Sequence, residues 1–123
     1  MIIGIGCDIV DHQMANQLWS DNPKHLSRIF TDRELNIFSQ KNNIRFLAGR
    51  FAAKEAIVKC LGTGMEDGIS LKEIEILQLI NGKPEIKLEG EIKKLSMKLG
   101  IAIWNVSISH TTAYSVAFVI AEN

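Results

Sequence analysis

Two charges one helical turn apart, Glu55 and Lys59 in "RFAAKEAIVKCLGTG", together with Asp8 in "GIGCDIV", have the residue types for phosphate or metal chemistry. At about 100° per residue, Glu55 and Lys59 share a helix face with Ala48 and Ala52. Such a face lets a ligand or another backbone come close. It also reads as an ordinary i,i+4 surface pair, worth ~0.2–0.5 kcal/mol. Asp8 at a strand end and Glu55 together offer oxygens to one hard cation, of the kind that takes one or two carboxylates and completes its shell with waters and phosphates. Lys54 projects into the apolar stripe of the same helix, so its ammonium either snorkels to an edge or meets a buried anion. Arg50, one turn earlier, adds a fork-shaped donor suited to phosphate.

The glycines after this helix, Gly62 and Gly64, do not make a Walker loop, because they lack the GxxxxGK[ST] spacing and follow a helix instead of preceding one. Gly62 suits a helix C′ position. Both can let a backbone approach a flat or charged ligand. In "SISHTT", His110 stands just beyond a strand, placed to contact a phosphate or to serve a turn. Ser107 and Ser109 share a strand face with Asn105, a polar, solvent-facing side. No Ser/His/Asp order favours a hydrolase.

These residues need elements to position them. "MIIGIGCDIV" reads as a short buried strand with glycines at 4 and 6. A weak helical pattern from Asp11 to Trp19 is stopped by the turn cluster "SDNPK". "TDRE" is a capping box that opens a helix with Leu35 and Phe38 inward. The longest helix runs from about Ile44 to Leu61, with Leu47, Phe51, Ile57, Val58 and Leu61 as its apolar stripe. "EIEILQL" and "NGKPEIKLEG" form two strands around a tight Asn-Gly turn. A short helix, "EIKKLSMKL", ends at Gly100, and two last strands, "IAIWNVSIS" and "AYSVAFVIA", are joined by His110-Thr111-Thr112. The order β, α, α, α, ββ, α, ββ does not alternate strictly, which argues against a doubly wound parallel sheet. The expected class is α+β, a small, mostly antiparallel sheet packed with helices, in a single domain over 1–123.

Composition narrows the partners. Of the 123 residues, 46% are hydrophobic and 23% charged, a globular balance. Fourteen basic residues match fourteen acidic ones, so no global field draws nucleic acid or an anionic membrane. Any anion site has to be built locally. Cys7 and Cys60, the two cysteines, form no CxxC and read as buried free thiols, which fits a reducing compartment. The N-terminus lacks a basic n-region, and Asp8 and Asp11 interrupt its apolar run, so it does not read as a signal peptide. No stretch reaches the roughly 18 apolar residues of a membrane span. The cytoplasm is the expected location.

Taken in order, "GIGCDIV", "RFAAKEAIVKCLGTG" and "VSISHTTAYSVAFVI" resemble the holo-acyl-carrier-protein synthases, the short class of 4′-phosphopantetheinyl transferases. The resemblance spans almost the whole chain, including "FTDREL", "FLAGRFAAKEA" and the "NGKP" hairpin. It implies that a serine hydroxyl of apo acyl carrier protein attacks the β-phosphorus of coenzyme A, takes the phosphopantetheine arm and releases adenosine 3′,5′-bisphosphate. It also implies magnesium dependence and a homotrimer with a coenzyme A cleft at each subunit junction. By motif, Asp8 and Glu55 would hold Mg2+, and Lys59 would meet the diphosphate. Arg50, Lys54, His110 and Thr111 would line the coenzyme A site, Gly62 and Gly64 would lie near the nucleotide, and Lys41 is a further match for the 3′-phosphate. The chemistry needs charge stabilisation at phosphorus and no enzyme nucleophile, with Glu55 available to take the serine proton directly or through water. One departure stands out: "DHQMANQLW" has Met14 where the family is usually basic, which points carrier docking toward Met14, Leu18 or Trp19. A non-catalytic coenzyme A or nucleotide-binding module is the competing reading.

Overall fold

The computed structural model describes residues 1–62 and 69–123. β1 (Ile2–Asp11) leads into α1 (His12–Asp21), whose first turn is held by the Asp11 side chain accepting from the backbone N–H groups of Gln13 and Met14. The turn cluster expected after α1 contains a helix of its own: Pro23 opens α2 (Pro23–Ile29). Proline's fixed φ suits the first helical position, where its missing N–H costs nothing. α3 (Asp32–Lys41) starts on the capping box read from "TDRE", with Thr31 and Glu34 each accepting from the other's backbone N–H.

α4 (Ile44–Cys60) ends at Gly62, whose φ of +70° suits the glycine expected there. β2 (Ile74–Gln78) and β3 (Pro84–Leu88) form an antiparallel hairpin. Its turn is longer than the tight Asn-Gly link expected: Gly82 N–H donates to Leu79 O, Leu79 N–H donates to Lys83 O, and Gly82 has φ +89°. This is a three-residue connection with a left-handed glycine. α5 (Gly90–Lys98), β4 (Ile103–His110) and β5 (Tyr114–Glu122) complete the chain.

β1, β5 and β4 pair in that order, antiparallel throughout, so β1 and β4 are opposite edges of one three-stranded sheet. The α+β expectation holds. α4 crosses the inner face of this sheet, and the main core forms between its Ala52, Ala53, Ala56 and Ile57 and the sheet's Ala117, Val119 and Ala121. The single apolar stripe expected of α4 understates its burial, because the alanine side is buried as well. Small side chains there meet glycines on β1: a Cβ at Gly6 would collide with the carbonyl oxygen of Ala56, and one at Gly4 with that of Cys60. The helix and strand therefore touch backbone to backbone.

A second cluster packs α1 onto α4 through Trp19, Phe30 and Leu47, with Trp19 edge-on to Phe30 and Phe51 at 5.6 and 5.8 Å. Trp19 is thus a core residue and not a docking residue, whereas Met14 and Leu18 are exposed. The cysteine expectation is half corrected: Cys60 is buried, but Cys7 lies exposed on the sheet's outer face. No helix among the described residues is long and apolar enough to cross a membrane.

Candidate active site

Strand alternation turns Asp8 to the helix side of β1, the side of Gly4 and Gly6, where α4 lies against the strand. Lys59 Nζ donates to the Cys7 carbonyl at 2.9 Å and to Asp8 Oδ1 at 3.2 Å. The surface pair that the i,i+4 spacing allowed between Glu55 and Lys59 is not formed. Glu55 is in no ion pair with a described residue, and its carboxyl is pushed up by burial and then by the negative charge of Asp8, with Lys59 opposing. A carboxyl whose proton affinity is raised by a neighbouring carboxylate marks a site for positive charge. The two fit a hard divalent cation, and among the described residues no third acidic, histidine or cysteine ligand joins them.

A second locus lies at the other edge of the sheet. A cleft of about 740 Å³ is lined by Lys41, Phe46, Gly49, Arg50, Lys83 and His110, among others. The Arg50 guanidinium stacks 3.5 Å from the centroid of the Phe46 ring, and its Nε donates to the Ile76 carbonyl at 3.0 Å. Burial lowers its pKa to about 10, against the raising effect of Glu34, which leaves it charged at neutral pH. Lys41 Nζ lies 5.6 Å from the same ring. His110 borders the cleft over Gly49, where a Cβ would press on its Cε1. Its pKa is lowered by burial, then by His12, Arg45 and Arg50. The cleft therefore offers cations, an aromatic face and a titratable ring.

A family model described as the 4′-phosphopantetheinyl transferase superfamily matches residues 4–119. The chain belongs to the 4′-phosphopantetheinyl transferase superfamily. A holo-(acyl-carrier-protein) synthase of Geobacillus sp. (strain WCH70) is 43% identical over 125 residues, covering 99% of this chain and 98% of that relative. Among solved structures, the holo-(acyl-carrier-protein) synthase of Neisseria meningitidis superimposes with a TM-score of 0.92 at 37% identity, covering 100% of both chains. That of Bacillus anthracis str. Ames, in complex with CoA (3′,5′-ADP), does so with a TM-score of 0.81 at 34% identity, over 98% of this chain and 96% of that one.

In this transferase chain the expected site residues do not share one place. Asp8, Glu55 and Lys59 gather at one edge of the sheet, and Arg50, His110 and Lys41 at the other. Thr111 sits in the β4–β5 turn, where its Oγ1 accepts from the N–H groups of Ala113 and Tyr114. Gly62 is exposed at the end of α4, and Gly64 lies outside the described residues.

Lys54 is in neither locus and is a correction to the expectation that it meets coenzyme A. It is wholly buried, its Nζ donating to Glu34 Oε1 at 2.6 Å and to the carbonyls of Ile29 and Leu71. The buried anion is the protein's own. Glu34 Oε2 in turn accepts from Ile76 N–H, so Ile76 is fixed through its N–H by Glu34 and through its carbonyl by Arg50. Sequence reasoning missed Glu34, Phe46, His12 and Ser115. The i,i+4 spacing of Phe46 and Arg50 was a readable signal for their stack, whereas Glu34 reaches Lys54 across twenty positions that no local pattern spans.

Proposed function

We propose that the chain transfers the 4′-phosphopantetheine arm of coenzyme A to a serine of an apo acyl carrier protein in the cytoplasm, releasing adenosine 3′,5′-bisphosphate. The serine Oγ forms a bond to the β-phosphorus, and the bond from that phosphorus to the bridging oxygen breaks, leaving on the nucleotide. Glu55 accepts the serine proton, directly or through a water, and a half-buried carboxyl with raised proton affinity suits that task. Lys59, whose side chain is 53% exposed, can swing from Asp8 to the diphosphate and balance charge on its oxygens. Mg2+ held by Asp8 and Glu55 would supply Lewis-acid charge stabilisation to the phosphoryl groups. Arg50, Lys41 and His110 bind the nucleotide phosphates, and Phe46 offers the cleft an aromatic face.

One observation carries this reading furthest: the acidic cluster and the basic cleft lie at opposite edges of the sheet. Arg50 and Glu55 are five residues apart on α4, about 140° around the helix, so on one copy the two side chains leave the helix in different directions. The sheet's outer face supports a second copy, because Ile5, Ile9, Ile103 and Phe118 stand 44–62% exposed there with no element of the described residues over them. A homotrimer that joins the cleft of one subunit to the acidic cluster of the next fits both facts.

Mixing the protein with apo acyl carrier protein, coenzyme A and Mg2+ and weighing the carrier tests the proposal. The carrier should gain the phosphopantetheine mass, and Asp8→Ala should abolish the gain. Coenzyme A binding without transfer to any carrier would overturn the enzyme reading in favour of a binding module. α1 shows Met14 and Leu18 to solvent and carries no Lys or Arg, so the carrier KM should respond weakly to salt.

A further inference from the structure

Three side chains form one hydrogen-bond chain beside the cleft, with His12 103 positions from Ser115 and His110 five. His12, at the start of α1, is buried, with Nδ1 3.0 Å from the Thr112 carbonyl oxygen and Nε2 2.7 Å from Ser115 Oγ. The same Oγ, on a wholly buried serine, lies 2.7 Å from His110 Nδ1. A carbonyl oxygen only accepts, so His12 carries its proton on Nδ1. With a single proton on the ring, Nε2 is bare and takes the hydroxyl hydrogen of Ser115. Ser115 Oγ, its hydrogen so placed, accepts from His110 Nδ1–H. One backbone carbonyl thus sets the direction of the whole chain. Nε2 is the nitrogen of His110 left over for the cleft.

We propose that His12 and Ser115 are positioning residues that hold His110 in its Nδ1–H tautomer, so that Nε2 takes up a proton and meets a ligand phosphate as a charged N–H donor. This rests on the reading of the cleft as the coenzyme A site. The chain also opposes charging both rings, whose centroids are 6.4 Å apart. With both rings charged, His12 Nε2–H and His110 Nδ1–H would both point at Ser115 Oγ and leave the buried hydroxyl hydrogen without an acceptor. Among the described residues, the charged groups that bear on His110 are Arg45 and Arg50 of α4, with Lys41 of α3 and Lys83 of the β2–β3 turn on the same cleft, and His12 of α1 opposes its charge only when protonated itself. Burial first, and then the Arg45 and Arg50 charges, disfavour a second proton on His110 until an anion arrives. A phosphate offsets that field and draws the proton onto Nε2.

The test is a long-range proton–nitrogen correlation spectrum of histidine-labelled protein, which reads tautomer and titration with no substrate present. His110 should be a single Nδ1–H tautomer, and Ser115→Ala should turn it into a mixture of both. In the same variant the KM for coenzyme A should rise about fivefold, near one ordinary hydrogen bond's worth of ordering, with kcat held. His12→Phe, which fills the space but breaks the chain, should reproduce both changes. An Nε2–H tautomer in the unmodified protein, or a tautomer indifferent to Ser115→Ala, would overturn the proposal. A tautomer that changes while KM does not would overturn the link to the ligand. If coenzyme A does not bind at all but the tautomer shifts as expected, the positioning of His110 stands and the reading of the cleft falls.

Discussion

α4 carries two lysines five residues apart, each paired with an acid, and the pairs do opposite work. Lys54 and Glu34 meet at 2.6 Å with both side chains wholly buried, and every hydrogen bond around them is to the protein. Lys59 and Asp8 meet at 3.2 Å with side chains 53% and 22% exposed, beside a carboxylate in no ion pair with a described residue. Ion pairing by itself does not mark a functional charge. A lysine that solvent reaches can exchange its partner for a ligand, whereas one closed in by a carboxylate and two carbonyls is committed to the fold. The family motif in which both stand does not distinguish them, but their surroundings do.

Breaking the buried pair should have the largest effect. Lys54→Met leaves Glu34 buried without its counter-charge and should cost ~3–5 kcal/mol of stability, a large part of what a small domain has. Denaturant unfolding measures it, and Glu34→Gln with Lys54→Met should cost less than the two single changes added together. The exposed pair should behave in the reverse way. Lys59→Ala should lower stability by less than ~1 kcal/mol, yet reduce kcat/KM by roughly 10²–10³-fold through lost charge stabilisation. Equal losses of stability in Lys54→Met and Lys59→Ala would erase the contrast.

The smallest effect belongs to His110, outside both pairs. Its folded pKa lies below the ordinary 6.5, so between the folded value and 6.5 the unfolded chain binds more protons. Stability should therefore rise with pH through that window and lose this contribution below it. Unfolding measured between pH 5 and 7 should show the slope, flattened in His110→Gln.

What the sequence made legible was local. The Thr31–Glu34 box and the glycine at 62 were readable because each cap is made within a few residues. Lys54 was readable as an anomaly, but its partner was not, since Glu34 already had a sufficient local role as a cap. Pro23 was read as a stop because proline ends helices as well as opening them. His12 gave no signal at all: its partners Thr112 and Ser115 are 100 and 103 positions away, and only the β1–β5 pairing brings them together. The division of the site between the two sheet edges was equally hidden, because spacing on α4 shows two faces but not what each one meets.

Glu34 caps α3, neutralises Lys54 and holds Ile76 N–H, while the Ile76 carbonyl receives Arg50. A lesion at the start of α3 therefore has a route to the cleft that runs through main-chain atoms. In a map of mutational tolerance, Thr31 and Glu34 should score as weakened nucleotide binding under conditions too mild to unfold the chain. They would look like ligand contacts on residues that never reach the ligand.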